Sequence, residues 1–375
     1  MFVTKRRAKA PATAIAVCLS VAVWSATAWA QSPAQPAAPA APAAAPAAAP
    51  ALPAIPPITG NRAKPVPSWG KPLPYPVIIA DRRNNRLIEI TPDKRVVWEF
   101  DSPNTHVYSG NDDANFSPDG KLVAVSEEDN FDIHLVDYAQ RALVWTYGVP
   151  EHKGKQAGYL NFPDDAHMLT DGVMMTADIR NCRVLFIDRE AGKVLDQWGK
   201  TGSCRHDPPR ALNYPNGATP LENGDILITE ISGPYISRIT RTGKVIWSVH
   251  TPWVLYPSDA FPTQDGQVIV ADFSKPGRIV IFDPIKKKLT WEYQVKSGDG
   301  MLDHPSLARE LPTGDVLVTD DLRNRIVVID RQTKQIIWQY GQLDKAGSAP
   351  GQLNYPDGFD LDVFRDWRPT NAAAR

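Results

Sequence analysis

The sequence lacks a strong charge of either sign and lacks the common motifs of nucleotide, acyl and haem chemistry. Its 375 residues carry a formal net charge of −1 at pH 7. Because the first seventy residues carry six basic groups and no acidic group, the rest of the chain has a net charge of −7. An acidic domain without a basic tract binds nucleic acid poorly, so no nucleic-acid partner is expected. There is no P-loop, glycine-rich dinucleotide turn, Gly-x-Ser-x-Gly elbow or Cys-x-x-Cys-His haem site.

The one long hydrophobic run lies at the N-terminus. A basic start at residues 5–9 precedes an apolar stretch from about Ala10, which ends in Ala28-Trp29-Ala30. This is the layout of a secretory signal with small residues at the cleavage site, so residues 1–30 are predicted to be a signal peptide. An uncleaved anchor is the alternative, since the run is nearly long enough to span a bilayer. We expect a periplasmic or secreted protein, with membrane contact only if this segment is retained.

Residues 31–70 are rich in proline and alanine: eleven of these forty residues are proline and fourteen are alanine. Such a segment cannot bury a core and favours extended polyproline conformations. We predict a linker that holds the domain of residues 71–375 away from a membrane or a partner.

Cysteine is scarce. The chain has three, and Cys18 lies in the predicted signal peptide. Two cysteines that remain in an exported protein suggest one disulfide, here between Cys182 and Cys204, with two free thiols as the alternative.

The remaining sequence repeats itself six times. Each unit ends in a tryptophan, and the steps between successive tryptophans are 47, 53, 49, 44 and 47 residues. These tryptophans are Trp98, Trp145, Trp198, Trp247, Trp291 and Trp338. A typical unit, residues 304–341, contains four short runs rich in Val and Ile, separated by turn signals and without helical periodicity. Four strands in each forty- to fifty-residue unit predict a blade of a β-propeller.

The two ends of the chain predict how the propeller closes. The first unit, which begins at about Tyr75, contains only the second, third and fourth strands. A segment matching a first strand occurs instead at residues 353–362, and it resembles the segment that starts at Leu212. We therefore predict an all-β, six-bladed propeller whose C-terminal strand joins the N-terminal blade, which removes exposed sheet edges.

Two repeat families share features with this sequence. The Pro356-Asp-Gly-Phe start and the Ala80-Asp-x-x-Asn-x-Arg centre resemble NHL repeats. A second and weaker likeness, carried by Thr242-Gly-Lys-Val-Ile-Trp, is to quinone-type repeats and bacterial arylsulfotransferase propellers. Quinone dehydrogenases with propellers use eight blades and adjacent cysteines, so six blades and separated cysteines argue against a quinone cofactor. These resemblances imply the fold more strongly than a function.

Residue types that recur in every blade are expected to serve the scaffold. One carboxylate ends the second strand of each blade and is expected to accept turn N–H groups and to pair with an arginine. The carboxylates are Asp81, Glu127, Asp178, Glu230, Asp272 and Asp320, and the arginines are Arg86, Arg183, Arg238, Arg278 and Arg325. The six tryptophans are expected to pack between blades.

The first strands of a propeller lie nearest its axis, and two columns of residues in them vary from blade to blade. An alanine recurs in five blades, where the blades crowd together. The column before it is Asp113, Asp165, Gly217, Asp259, Leu307 and Gly358, and the column after it is Asn115, His167, Thr219, Phe261, Arg309 and Asp360. These columns are predicted to line the mouth or channel, with Asn115 and Asp360 as candidate ligand-binding residues.

Three of these aspartates, Asp113, Asp165 and Asp259, are candidate ligands for a hard cation such as calcium, with solvated strand caps as the alternative. Zinc is a second candidate, because His106, His152, His206 and His304 share one loop-rich face with both cysteines. Amidating lyases with NHL repeats bind zinc at the rim, but no matching motif occurs in this chain. The most unusual insertion, residues 200–210, includes His206, a third candidate ligand-binding residue.

Two classes of function follow. The leading hypothesis is a binding module that presents its loop-rich face to a protein or glycan. The rival is an enzyme at the channel mouth, a lyase, hydrolase or sulfotransferase, with or without a metal. Its candidate catalytic residues are His167, His304, Arg309 and Asp165, because a histidine can act as a base and Arg309 can neutralise a developing anion.

Overall fold

A computed structural model describes residues 72–367. Apart from single 3₁₀ turns at Arg82–Asn84, Ile179–Asn181 and Asp321–Arg323, its regular structure is entirely β-strand. The predicted signal peptide, residues 1–30, and the predicted linker, residues 31–70, lie outside the described residues and stay predictions. No helix between residues 72 and 367 is long and apolar enough to cross a membrane.

The strands form six antiparallel sheets of four strands each, which are the blades of a propeller. Blade 1 contains β1 (Val77–Asp81), β2 (Arg86–Ile90) and β3 (Val96–Asp101). Blade 2 contains β4 (Ala114–Phe116), β5 (Leu122–Glu127), β6 (Asp132–Asp137) and β7 (Ala142–Gly148). Blade 3 contains β8 (Pro163–Met168), β9 (Met174–Asp178), β10 (Arg183–Asp188) and β11 (Lys193–Trp198). Blade 4 contains β12 (Pro215–Pro220), β13 (Ile226–Glu230), β14 (Tyr235–Ile239) and β15 (Val245–His250). Blade 5 contains β16 (Pro257–Pro262), β17 (Val268–Asp272), β18 (Arg278–Asp283) and β19 (Lys288–Gln294). Blade 6 contains β20 (Ala308–Glu310), β21 (Val316–Asp320), β22 (Arg325–Ile329) and β23 (Ile336–Gly341), and β24 (Pro356–Leu361) follows it.

The innermost strand of blade 1 comes from the opposite end of the chain. β24 pairs antiparallel with β1, which places Leu361 opposite Val77 and Phe359 opposite Ile79. The resulting sheet has the order β24-β1-β2-β3. The six-bladed propeller and its closure by the C-terminal strand are therefore confirmed.

The core lies between neighbouring blades. The second strands are rich in Val and Ile and largely buried, because each sheet is covered on both faces by the next blades. The tryptophans form hydrogen bonds between neighbouring blades. The indole N–H of Trp98 donates to the carbonyl of Tyr138 in blade 2 at 2.8 Å, and that of Trp145 donates to Arg189 in blade 3 at 2.8 Å. The tryptophans thus pack between blades, as the repeat indicates.

The carboxylate that ends each second strand fastens the loop that enters the first strand of the same blade. Each accepts at least one backbone N–H from that loop. The donors are Asn354 for Asp81, Ser109 for Glu127, Asn161 for Asp178, Asn213 for Glu230, Leu255 and Tyr256 for Asp272, and Asp303 for Asp320. We call these six residues the blade carboxylates.

The predicted pairing with arginine occurs in three blades. The Nε atoms of Arg86, Arg183 and Arg325 donate to Asp81, Asp178 and Asp320 at 2.8, 2.7 and 2.8 Å. The prediction is wrong for the other two arginines. The register places Tyr235 opposite Glu230, so Arg238 lies three residues further along and binds Asp225 at 2.7 Å. Arg278 lies opposite Asp272 but donates to Glu292 and to the carbonyl of Trp253.

Candidate functional site

Six polar residues, one from each blade, line one cavity on the loop-rich face, which we call the mouth. They occupy one position in the first strands, two residues before the alanine column, and all are buried. They are Asp112, Asp164, Asn216, Ser258, Ser306 and Asp357. All six line a cavity of about 220 Å³. We call them the mouth ring. This column was not predicted from the sequence, although the two columns nearby were.

The three aspartates predicted to bind a cation lie together beneath this ring. Asp113, Asp165 and Asp259 each place a carboxylate oxygen within 4.8 Å of the other two. We call them the aspartate triad. The Asp165 carboxylate accepts the N–H of Ala218 at 2.6 Å, whereas the Oδ1 of Asp259 is buried and makes no hydrogen bond.

Glycine makes room for these carboxylates. A Cβ atom built on Gly217 would lie 2.7 Å from the Oδ1 of Asp259, and one built on Gly358 would overlap Asp113. The glycines of this column therefore have a packing role. Five of the six residues of the column are thus either carboxylates or glycines that leave space for them, and the sixth, Leu307, packs in the hydrophobic core.

Negative charge exceeds positive charge at the mouth. Arg82 is the one cation among the residues that line the cavity. It pairs with Asp112, with Asp357 at 2.6 Å, with Glu128 at 2.9 Å and with Asp129 at 2.8 Å. Four carboxylates already share this guanidinium, and within residues 72–367 no lysine or arginine pairs with Asp164 or with the aspartate triad. A second cleft of about 240 Å³ adjoins the mouth and shares Arg82 and Tyr355 with it.

The crowding of carboxylates changes their acidity. Burial and the neighbouring charge of Asp165 raise the pKa of Asp113 to about 8. Burial, followed by the charges of other aspartates in the group, also raises the pKa values of Asp164 and Asp259 well above the usual range. Near neutral pH the ligand-free site therefore retains protons that free aspartates would have lost.

We predict that the ligand-free protein becomes less stable as pH rises from about 5 to about 8. Asp113 retains its proton in the native state between the ordinary value of 3.8 and about 8, so over that range the native state binds more protons than the unfolded chain. For each proton that the native state binds in excess, the free energy of unfolding falls by about 1.4 kcal/mol with every unit of pH increase. Denaturant unfolding in the presence of a chelator measures this, and D113N should flatten the slope. An unchanged slope in D113N would contradict the assignment.

Further along the first strands lies the second predicted column, Asn115, His167, Thr219, Phe261, Arg309 and Asp360. It is three residues from the mouth ring, about 10 Å along a strand. Asn115 donates to the carbonyl of Ala166 at 3.2 Å, and Asp360 accepts the N–H of Phe116 at 3.0 Å. Both candidate ligand-binding residues of this column therefore join neighbouring blades.

The four candidate catalytic residues do not form one cluster. The Nε2 of His167 lies 3.3 Å from the Oδ1 of Asp165, so these two residues share the triad region. Arg309 pairs with Asp360 at 2.6 Å. His304 pairs with Asp303 at 2.6 Å, in the loop before β20. Its ring packs edge-on against Phe273, which lines the mouth.

The other histidines of the loop-rich face lie apart. His106 contacts Glu151 at 3.2 Å at the surface, and the Nδ1 of His152 contacts the carbonyl of Pro150. His206 contacts Glu230 at 2.5 Å and Ser248 at 3.2 Å and stacks on Tyr235, which favours a structural role. Within residues 72–367, no cluster of metal-ligating side chains includes a histidine of this face.

Cys182 and Cys204 form a disulfide in the structure, with their Cα atoms 5.2 Å apart. Cys182 follows the 3₁₀ turn after β9, and Cys204 lies in the insertion at residues 200–210. The bond therefore attaches that insertion to blade 3 on the loop-rich face.

Comparison with known proteins supports the fold and extends the repeat assignment. A model for PQQ-type repeats, described as outer membrane protein assembly factor BamB, matches residues 184–352, which is less than half of the chain. The match favours the quinone-type likeness, and the NHL likeness stays a prediction. No curated protein matches the chain.

Several solved structures are similar. A protein of unknown function from Bacteroides caccae has a TM-score of 0.55 at 14% identity, covering 76% of this chain and 97% of that one. Virginiamycin B lyase from Staphylococcus aureus has a TM-score of 0.51 at 17% identity, covering 80% and 92%. A streptogramin B lyase has a TM-score of 0.52 at 17% identity, covering 79% and 86%. At these identities the likeness shows the propeller fold alone.

Proposed function

We propose that the protein is an exported binding module whose axial mouth takes up the positively charged group of a ligand. The observation that carries this proposal is that five buried aspartates line one cavity together with one arginine. Three belong to the mouth ring and two, Asp113 and Asp259, to the triad, whose third member Asp165 lies beside them. Buried carboxylates without cations are costly, and a bound cation removes that cost. The disulfide and the match to a family described as an outer membrane assembly factor support a periplasmic or secreted location.

The chemistry of the mouth suits two sources of positive charge. The triad offers oxygen donors only, which is the preference of calcium. The mouth above it, with Tyr256, Tyr355 and Phe273 among its walls, suits the ammonium or guanidinium end of a partner's side chain. Arg82 already shows how this ring holds a guanidinium. A protein or glycan partner would then cover the loop-rich face around the mouth, including the insertion at residues 200–210.

Titration calorimetry with calcium chloride and, separately, with arginine amide distinguishes the two sources. We expect one of these cations to bind and D259N to weaken it at least about 10-fold, which corresponds to about 1.4 kcal/mol. D299N removes an exposed aspartate from the same face and should bind like the wild type. Absence of binding to the wild type, or equal binding to D259N, would refute the cation site. Because D259N replaces a buried carboxyl with an uncharged amide of similar shape, it should fold.

The pairing of Asp113 with Asp164 favours an enzyme as the second candidate. The Asp113 carboxyl has a pKa raised to about 8 by burial and by the charge of Asp165. One of its oxygens lies within 4.8 Å of an oxygen of Asp164. Two carboxyls with unequal proton affinities are a common arrangement for acid–base catalysis. A screen of aryl sulfate and lactone substrates tests this, with D113N as the inactive variant. Turnover that survives in D113N would exclude this site.

A further inference from the structure

Blade 2 departs from the arrangement that blades 1, 3 and 6 share. Where blades 1, 3 and 6 place an arginine opposite the blade carboxylate, the register of blade 2 places Asp132 opposite Glu127. Both carboxylates are completely buried. Like charges directly opposite each other on neighbouring strands repel, and burial strengthens the repulsion. Blade 2 therefore lacks the positive charge that an arginine supplies at the equivalent position of blades 1, 3 and 6.

His134, two residues further along β6, can supply at most one positive charge for these two carboxylates. Its Nε2 lies 3.2 Å from an Asp132 oxygen and 3.4 Å from a Glu127 oxygen. The Glu230 site of blade 4 also lacks an arginine, but there one histidine, His206, faces one carboxylate. In blade 2 one histidine faces two, so a protonated imidazole would still leave one negative charge in excess.

The buried polar atoms of this cluster are unsatisfied. The Nε2 of His134, both carboxylate oxygens of Asp132 and the Oε1 of Glu127 are buried, and no hydrogen bond from the part of the chain that the structure describes reaches them. The hydroxyl of Tyr108, a buried residue outside the cluster whose ring centre is 6.0 Å from that of His134, also has no partner. Buried polar groups are nearly always hydrogen-bonded, so this many orphan atoms in one place indicate a missing ligand.

We propose that Glu127, Asp132 and His134 bind a divalent transition-metal ion, with zinc as the best match. Their ligand atoms lie within 4.8 Å of one another. The 3.2 Å between the Nε2 of His134 and the Oδ2 of Asp132 matches the edge of a tetrahedron, about 3.3 Å when metal–ligand distances are about 2.0 Å. The third donor is the Oε1 of Glu127, because its Oε2 already accepts hydrogen bonds from Ser109 and Asn130. Imidazole with two carboxylates is a zinc donor set, whereas calcium and magnesium prefer oxygen ligands alone. A water molecule would complete the four ligands.

Neighbouring residues already hold the ligands in place. The Nδ1 of His134 contacts the Thr146 hydroxyl at 2.8 Å, which leaves Nε2 for the metal. The Oε2 of Glu127 accepts the N–H of Ser109 at 3.0 Å and the side-chain amide of Asn130 at 2.8 Å. Such outer contacts orient metal ligands in known sites. The ion would fasten the loop before β4 to blade 2, as arginine does in blades 1, 3 and 6.

The test is the metal content of the full chain, followed by rebinding of Zn²⁺ and Co²⁺ after treatment with a chelator. We expect about one equivalent of metal per chain and a Co²⁺ absorption spectrum typical of four-coordinate sites. H134Q should lower the affinity at least about 100-fold, because even outer-contact changes lower metal affinity roughly 10- to 100-fold. H206Q is the matched control and should keep the metal.

A second variant keeps the proposal testable if H134Q does not fold. D132R with H134V restores the arginine of the other blades, and Gly148 leaves the same space beside it that Gly199 and Gly341 leave beside Arg183 and Arg325. This variant should fold without metal and become insensitive to chelators. Wild-type protein that binds no Zn²⁺, or H134Q with wild-type affinity, would overturn the proposal. The cluster would then be a histidine shared by two carboxylates.

Discussion

A chain that ends at Gly351 is expected to be insoluble, or to melt far below the intact protein. The truncation removes β24 and exposes the inner edge of β1, so blade 1 loses its axial strand. It also removes Phe359 from the core shared with blade 6, and Phe364 from the core shared with blade 2. Because each blade is stabilised by both of its neighbours, the loss should spread around the ring. The soluble fraction and the melting temperature measure it.

Further contacts fasten the C-terminal segment after β24. The indole of Trp367 donates to Glu89 at 2.9 Å, and the Arg365 guanidinium lies 3.4 Å from the centre of the Tyr138 ring. A relocation variant, in which residues 353–367 stand directly before residue 72, provides the matched control. It restores the inner strand with the connectivity of the other five blades and should be soluble. Equal melting temperatures for the truncation and the intact protein would contradict this account of closure.

Sequence repetition was sufficient to predict the architecture. Each blade repeats the same strands, turns and tryptophan, so the count of blades and the missing first strand at Tyr75 could be read without knowing any contact. Ring closure followed because the segment at residues 353–362 matches a first strand and has no other partner within its own repeat.

The site was only partly predictable because it depends on local register. The sequence placed Asp113, Asp165 and Asp259 near the axis, and the structure brings them together. It did not show that the column two residues before the alanine also lines the mouth. A register shift between Asp164 and Ala166 alters the strict alternation of the strand, so adjacent residues can both reach the axis.

The blade 2 cluster had a signal in the sequence. The arginine that follows the blade carboxylate is absent in one repeat, where Asp132 stands instead, and a histidine follows two residues later. The one repeat without the arginine therefore points to Glu127, Asp132 and His134. At Arg238 the sequence pattern misled in the opposite direction, because an arginine is present there but does not pair with the blade carboxylate. Spacing alone grouped it with the other arginines, but one shorter turn places Tyr235 at the equivalent position.

Replacing Arg325 with methionine is expected to destabilise the propeller by about 3–5 kcal/mol, because the change leaves a buried carboxylate without its partner. The Arg325 side chain is 2% exposed and pairs with Asp320, which is fully buried. It also donates to the carbonyl of Asp299 at 2.7 Å, which ties the preceding loop to the blade. Methionine fills a similar volume but satisfies none of these groups. Denaturant unfolding near neutral pH measures the effect.

Two controls distinguish the loss of this buried ion pair from the general effect of replacing an arginine. Arg238→Met, at a side chain that is 33% exposed and pairs with Asp225, should cost no more than about 1 kcal/mol. The loss in the Arg325 variant should also be smaller at acidic pH. Burial already raises the pKa of Asp320 to about 6, although Arg325 lowers it, so without Arg325 that carboxyl becomes protonated more readily and its unpaired charge disappears. Equal losses for the two arginine variants, or a loss at Arg325 that does not change with pH, would show that the buried pair does not fasten the blade.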